Sequence, residues 1–267
     1  MHMPDLSFDK IDAGTAFDWG RTSQDYDRYR PGPPESFYTL LRAHGIGGPD
    51  QDLLDIGTGT GLLARRFAQD GAKVTGIDVS REQIAMATAA AEREGQPIAF
   101  AVAPAEATGL ANDAFDVVTA NQCWIYFDLQ RVLTEVRRLL RSNGRLVVSH
   151  FSFMPRLDDV VAASERLVLK YSPDWSGADW DGILPAEPKW ARGEWDLVGY
   201  FVYDEQIPFT HESWRGRMRA LRGIAASLDA AAVKAFDEEH AALLQTLVPN
   251  EFSVCHRVHA QIFAPSS

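Results

Sequence analysis

Cysteine is almost missing from this chain: Cys123 and Cys255 are its two thiols in 267 residues. They form neither a disulfide framework nor the spacing of a metal site, so no metal is expected. Basic residues are also in short supply, with 26 Lys and Arg against 37 Asp and Glu and a formal net charge of -11. That balance disfavours a general electrostatic hold on an extended polyanion, and no nucleic-acid partner is expected. No apolar run is long enough to span a bilayer, so no membrane partner is expected either. The opening Met1-His2-Met3-Pro4-Asp5-Leu6 lacks the basic and apolar blocks of a signal peptide. A reducing cytoplasm is the expected compartment. Internal repeats and low-complexity tracts are lacking, as is any linker that would divide the chain. What is present, 46% hydrophobic and 24% charged residues, suffices for one large domain with a sizeable core, or one domain plus a cap.

The strongest local signal is Leu53-Leu54-Asp55-Ile56-Gly57-Thr58-Gly59-Thr60-Gly61. A short apolar run meets three alternating glycines and then the helical Leu62-Leu63-Ala64-Arg65-Arg66-Phe67. Glycines let the backbone turn sharply there, and let a nucleotide-like ligand approach the main chain. The dinucleotide fingerprint requires Gly-x-Gly-x-x-Gly/Ala. Counted from Gly57, its last position falls on Leu62, while Gly61 comes one residue early. The usual NAD pattern is therefore missed. Ala72-Lys73-Val74-Thr75-Gly76-Ile77 reads as a second strand ending in Asp78. A carboxylate at that strand end can accept hydrogen bonds from both hydroxyls of a ribose, whether the ligand is NAD or another nucleoside.

Strands and helices alternate from residue 51 to residue 151. Ser80-Arg81-Glu82-Gln83 has the spacing of a capping box and predicts a helix to Glu94. Residues 98–102 and 115–120 read as the third and fourth strands. Asp128 caps a helix with Val132, Leu133, Val136, Leu139 and Leu140 on one face. Asn143-Gly144 turns the chain into a fifth strand, 145–149. Such alternation implies a mostly parallel, doubly wound sheet. Beyond it, residues 156–171 read as a helix and 172–188 as a loop. Residues 197–209 and 252–263 read as strands, with helical patterns over 211–227 and 229–247 between them.

The glycine spacing, Asp78 and the order of these landmarks resemble class I S-adenosylmethionine-dependent methyltransferases, in the type 11, UbiE-like group with small-molecule acceptors. That resemblance implies an α/β fold: a doubly wound, Rossmann-like, seven-stranded, mostly parallel sheet with an antiparallel last strand. A helical insertion would lie between the last two strands. The implied organisation is a single methyltransferase domain over 1–267. It would comprise an N-terminal helical cap (1–50), a cofactor-binding core (51–151), and acceptor-side helices, lid loop and final strands (152–267). The implied cofactor is S-adenosyl-L-methionine, with S-adenosyl-L-homocysteine as its product. Gly57, Thr58 and Gly59 would pass beneath the methionine portion, Asp78 would bind the ribose, and Val79 would pack on the adenine. Ala105 and Glu106 would lie at the adenine edge, and Asn121 and Gln122 near the methionine portion. Glu106 reads equally as a solvated loop acid, and Asp55 as a structural acceptor for the amides of the glycine turn.

A second cluster of resemblance lies in Phe17-Asp18-Trp19-Gly20-Arg21-Thr22 followed by Tyr26, Tyr29, Arg30 and Pro31. It implies a segment closing over the site, with Tyr29 or Arg30 near the cofactor carboxylate and Phe17 and Tyr26 on the acceptor side. Arginine suits a carboxylate through its planar fork. After the fourth strand, Gln122-Cys123-Trp124-Ile125-Tyr126-Phe127 stands where relatives often carry Gln-x-x-His-Trp-Phe. Trp124 and Tyr126 are thus acceptor-pocket candidates, and Ile125 replaces a common histidine. His150, directly after the fifth strand, is the candidate base, and His211 is a further acceptor-side residue. Trp175, Trp180, Trp190 and Trp195 would either form a lid or pin their loop. Arg215, Arg219 and Arg222 fall along one helical stripe, which reads as a solvated face, with Arg217 on the opposite flank of the apolar side.

Together these features predict methyl transfer to a small-molecule acceptor by in-line displacement at the carboxyl ends of the strands. The alternatives are an RNA methyltransferase, or a cofactor-binding sensor or interaction protein without transferase activity. A nicotinamide dehydrogenase is a distant third.

Overall fold

Leu53, Leu54, Asp55 and Ile56 are all buried in β1 (Asp52–Ile56), and this burial on both faces marks a central parallel strand. The computed structural model of the chain describes residues 8–266, so the signal-peptide reading of Met1-Leu6 lies outside the described residues. The chain groups into two units. The sheet unit comprises Pro31–Phe151, Pro185–Val202 and the described residues from Val258 on. The second unit comprises the described residues up to Arg30, with Ser152–Leu184 and Tyr203–Arg257.

The sheet unit begins with α2 (Glu35–Ala43), after α1 (Ser23–Tyr29) of the second unit. Next come β1, α3 (Leu62–Gln69), β2 (Lys73–Asp78), α4 (Arg81–Arg93) and β3 (Ala99–Val102). They are followed by β4 (Phe115–Asn121), α5 (Leu129–Leu139) and β5 (Leu140–Phe153). Ser80 Oγ accepts from Gln83 N and Asp128 from Arg131 N, so both caps stand where the sequence puts them. One face of α5 buries Val132, Leu133, Val136 and Leu139 against Leu54, Val118 and Leu146 of the sheet. Each such side chain contributes roughly 1.5–3 kcal/mol on burial.

The seven strands run in the order β3-β2-β1-β4-β5-β7-β6, where β6 is Trp195–Thr210 and β7 Glu251–Pro265. The sheet is mostly parallel with an antiparallel last strand. Ile56 pairs with Ile77, Asp78 with Val102, and Asn121 with Ser149, which aligns the carboxyl ends of β1, β2, β3 and β4, while β5 runs on past Ser149 to Phe153. The order reverses between β1 and β4, which opens a crevice beyond their ends. β5 starts earlier than its periodicity predicts. Leu140 already pairs with Phe115, and regular pairing resumes at Arg145 after an irregularity that contains Asn143-Gly144.

The second unit contains α1, α6 (Asp159–Tyr171), α7 (His211–Arg219) and α8 (Ala230–Leu247). Side chains start three of these helices: Asp158 for α6, a Thr210–Ser213 capping box for α7, and Asp229 for α8. α7 and α8 are the insertion between β6 and β7. Trp214 is fully buried and donates to Ser164 Oγ, which also contacts His240 Nε2 at 3.0 Å. Among the described residues no helix is long and apolar enough to cross a membrane.

Candidate cofactor site

Gly57, Gly59 and Gly61 all adopt positive φ, at 64°, 57° and 77°. A side chain would be strained at each, and two of them also lack room for one. A Cβ on Gly57 would lie 2.8 Å from Cys123 Sγ, and one on Gly61 2.9 Å from the Phe100 ring. Gly61 then leads into α3. The turn is tied to β2 twice: Thr58 N donates to Ile77 O and Gly59 N to Asp78 Oδ2, each at 2.9 Å.

Asp78 is the hub of this end of the sheet. Its second oxygen accepts from Ser80 N at 2.9 Å. Burial pushes its carboxyl above the usual range, and the amides of Ser80, Gly59 and Val79 pull it back in part. Gly59 N and Ser80 N take one lone pair on each oxygen, and the carboxylate keeps acceptor capacity for a hydroxyl. Val79, next in the chain, is 70% exposed, an aliphatic side chain offered at the rim.

Asp55 is structural, but not through amides. Its oxygens accept from the hydroxyls of Thr58 (2.6 Å) and Thr119 (2.7 Å), locking the turn to β4. Full burial raises its pKa to about 6. Glu106 is neither purely solvated nor free, because it accepts from Asp128 N at 2.9 Å at the start of α5. Ala105, next to it, is buried.

Beyond β4, Asn121 Oδ1 accepts from Ser149 Oγ, while Gln122 adopts φ of 60° and donates its amide to Ser149 O. The buried Gln122 Oε1 has no partner. A non-glycine residue held in the left-handed region beside an unsatisfied acceptor is the kind of strain that binding sites retain. The sequence offers no signal for either property. Cys123 Sγ donates to Ile56 O at 3.2 Å beneath Gly57, and burial pushes the thiol well above its ordinary range. It is a packing residue, not a nucleophile.

The acceptor-side candidates divide between the units. In the sheet unit, Trp124 lies 5.1 Å from Trp190, which in turn meets Phe263 at 4.9 Å. Trp190 and the buried Trp195 thus pin their segment to the core. Tyr126 ends the short turn Trp124–Tyr126. His150 is a correction: β5 continues to Phe153, so this histidine lies inside the strand, not after it. The alternation Phe151-Ser152-Phe153 extends the pairing past the polar Ser149-His150 that reads as an end.

In the second unit, Tyr29 donates to Glu212 Oε1 at 2.7 Å, and this bond raises its phenol pKa. Arg30 stacks over Tyr26 at 4.5 Å, and Arg222 over Phe17 at 5.7 Å. His211 is held by Val248 O at 3.1 Å. The arginine stripe is not a solvated face. Arg215 and Arg219 converge on Asp237, Arg219 also holds Asp25, and Arg222 holds the buried Asp12. Trp175 is also buried, under Gly177 and Gly223, where any Cβ would strike its ring.

The residues of the glycine turn and of the β2 and β4 ends fit a nucleoside carrying a short polar tail. The cradle admits no Cβ at Gly57, Asp78 retains capacity for hydroxyls, and Gln122 Oε1 lacks a donor. A cavity of about 420 Å³ lined by His44, Asn143 and Arg145 holds none of these residues.

Residues 54–148 match a family described as methyltransferase domain. The uncharacterized methyltransferase YcgJ of Bacillus subtilis is 32% identical over 167 residues, covering 61% of this chain and 63% of that protein. The ubiquinone biosynthesis O-methyltransferase of Sodalis glossinidius is 29% identical over 180 residues, covering 67% of this chain and 72% of that protein. The chain therefore spans under two thirds of YcgJ's length and somewhat more of the second relative's. The X-ray structure of YjhP from E. coli shares the fold, with a TM-score of 0.56 and 20% identity over 93% of this chain and 99% of that one.

Proposed function

We propose that this chain, whose residues 54–148 are a class I S-adenosylmethionine-dependent methyltransferase domain, methylates a small-molecule acceptor by in-line displacement. The observation that carries the reading is the wiring of Asp78 to the Gly59 amide at the point where the strand order reverses. When bound, S-adenosylmethionine supplies an electrophilic methyl group on a sulfonium, whose thioether leaves without needing a proton.

The chain's own residues bind, orient and exclude water. Asp78 accepts from the ribose hydroxyls through its remaining lone pairs, and Val79 covers one face of the adenine, with Ala105 and Glu106 at its edge. Gly57, Thr58 and Gly59 let the backbone run close to the methionine portion. Gln122 Oε1 takes a donor from the same portion, with Asn121 beside it. Tyr29 or Arg30 serves the cofactor carboxylate, and Phe17, Tyr26, Trp124, Tyr126 and His211 serve the acceptor. Holding the nucleophile in line with the methyl carbon in a dry site is the principal catalytic task. His150 is the proposed base for an acceptor that must lose a proton.

The net charge of -11 supports a small acceptor over a nucleic acid. Two free thiols, Cys123 and Cys255, suit a reducing compartment, and we place the enzyme in the cytoplasm.

Calorimetric titration with S-adenosylhomocysteine, with NAD as control, tests the cofactor. Micromolar binding of the former alone is expected, and preference for NAD would overturn the reading. Formation of S-adenosylhomocysteine from S-adenosylmethionine with an acceptor present then separates a transferase from a mere binding protein.

A further inference from the structure

The arginines of the insertion are of two kinds. Arg215, Arg219 and Arg222 each meet a carboxylate, so every charge they carry out of water is compensated. Arg217 is not compensated. It is 5% exposed, deeper than Arg222 at 8%, and among the described residues no carboxylate pairs with it. Its guanidinium lies 5.0 Å over the Phe153 ring. Beyond burial, the charges that bear on it come from Arg30, a second cation, and from Tyr26. His256 stands edge-on to the same Phe153 ring at 6.1 Å and feels both cations. One cluster of this unit therefore gathers two guanidiniums, an imidazole and two aromatic rings, and among the described residues no salt bridge joins either guanidinium to a carboxylate.

The local sequence explains the burial. Gly216 faces Tyr29 so closely that a Cβ there would fall 2.1 Å from the ring, so α1 and α7 press together at this glycine. Arg217 is the next residue and is carried under, while Arg215 and Arg219, two residues to either side, reach Asp237 on α8. A cation–π contact returns only part of what an unpaired buried guanidinium loses in hydration. Burial and Arg30 together hold Arg217 down to about 9, so it still carries its charge at neutral pH.

We propose that Arg217, with Arg30 beside it, is an oxyanion site that takes the carboxylate or phosphate of a small organic molecule. The planar fork of Arg217 supplies two parallel donors to such a group, and the anion supplies the missing countercharge. Phe153 and Tyr26 flank an apolar body next to the anion.

Thermal unfolding of the full chain with benzoate or phenyl phosphate tests this, against benzamide and against chloride at equal ionic strength. At about ten times its Kd, the recognised anion should raise Tm by about 3 °C, and benzamide should not. The anion giving the larger shift identifies carboxylate or phosphate as the group recognised. Arg217→Met, which keeps the length and apolar stem, should abolish the shift and raise Tm in the absence of anion. Arg217→Lys, with charge but no fork, should weaken the anion at least about tenfold. An equal shift in Arg217→Met, or no shift with either anion, refutes the site. Prior saturation with S-adenosylhomocysteine or with 5′-methylthioadenosine, which lacks the amino-acid tail, separates the two sources of a carboxylate. Loss of the shift with the former alone would assign these arginines to the cofactor's own carboxylate and defeat a separate oxyanion site. An anion shift persisting in a protein that binds no S-adenosylhomocysteine would defeat the methyl-transfer reading and leave the oxyanion site standing.

Discussion

Asp78 has two tasks that a simple alanine substitution would confuse. Its carboxylate latches Gly59 and Ser80 at 2.9 Å each, and in our reading it also accepts both ribose hydroxyls. Hydroxyl bonds to a charged acceptor are worth about 1.5–3 kcal/mol each. Two such bonds on a partly open rim, discounted by about half for competing water, come to about 1.5–3 kcal/mol, or roughly ten- to a hundredfold in Kd. Losing the latch adds a further cost of about 1–2 kcal/mol, felt by any ligand of the turn. A double-mutant cycle separates the two effects. Binding of S-adenosylhomocysteine and of its 2′,3′-dideoxy analogue is measured by calorimetry on the parent and on Asp78→Ala. The parent should prefer the natural ribose by about ten- to a hundredfold, and the variant should nearly lose that preference. Equal weakening of both ligands, with the preference intact, would show that Asp78 only holds the turn and would refute the ribose assignment.

Gly61→Ala should cost about 2–3 kcal/mol, from positive φ and from a Cβ 2.9 Å from Phe100 and 3.2 Å from Ala87, and calorimetric unfolding should read a fall of about 4–12 °C. Asp12→Asn should destabilise by about 3–5 kcal/mol because it leaves the buried Arg222 without its carboxylate, while Asp12→Leu combined with Arg222→Met should recover most of the loss; a loss of under about 1 kcal/mol in urea unfolding would show that this pair is not the tie between the chain near Asp12 and the insertion. Glu165 is buried and raised to about 7, chiefly by burial, from an ordinary 4.5. Its folded pKa lies above its unfolded one, so its stabilising contribution is complete below about pH 4.5 and is lost as pH rises through 7. Glu165→Gln keeps an acceptor for the Asp179 amide and should gain on the parent between pH 5 and 8, by a total of about 3 kcal/mol; parallel stability profiles for the two proteins would contradict this.

Where the sequence was legible, one local rule decided each element. The buried run Leu53-Leu54-Asp55-Ile56, the caps Ser80 and Asp128 and the glycine spacing each speak within a few residues, so the parallel core and its ligand rim could be anticipated. α2 was not assigned its own range, because the preceding Pro-Gly-Pro-Pro reads as loop. The partners of buried charges were the least legible part. Asp55 was given turn amides, yet one of its donors is the hydroxyl of Thr119 on another strand. The Arg215, Arg219 and Arg222 stripe was given to solvent, because the carboxylates that bury it, Asp12 and Asp25 near the amino terminus and Asp237 on α8, are not helical neighbours. Charge pairing across a fold leaves no periodicity to detect. What the sequence did expose was the exception: Arg217 falls on the other flank of the apolar face, directly after Gly216. A cation next to a glycine that admits a close-packed helix is placed for burial, and with Asp12, Asp25 and Asp237 each held by another arginine, the proposed anion supplies the countercharge that Arg217 lacks among the described residues.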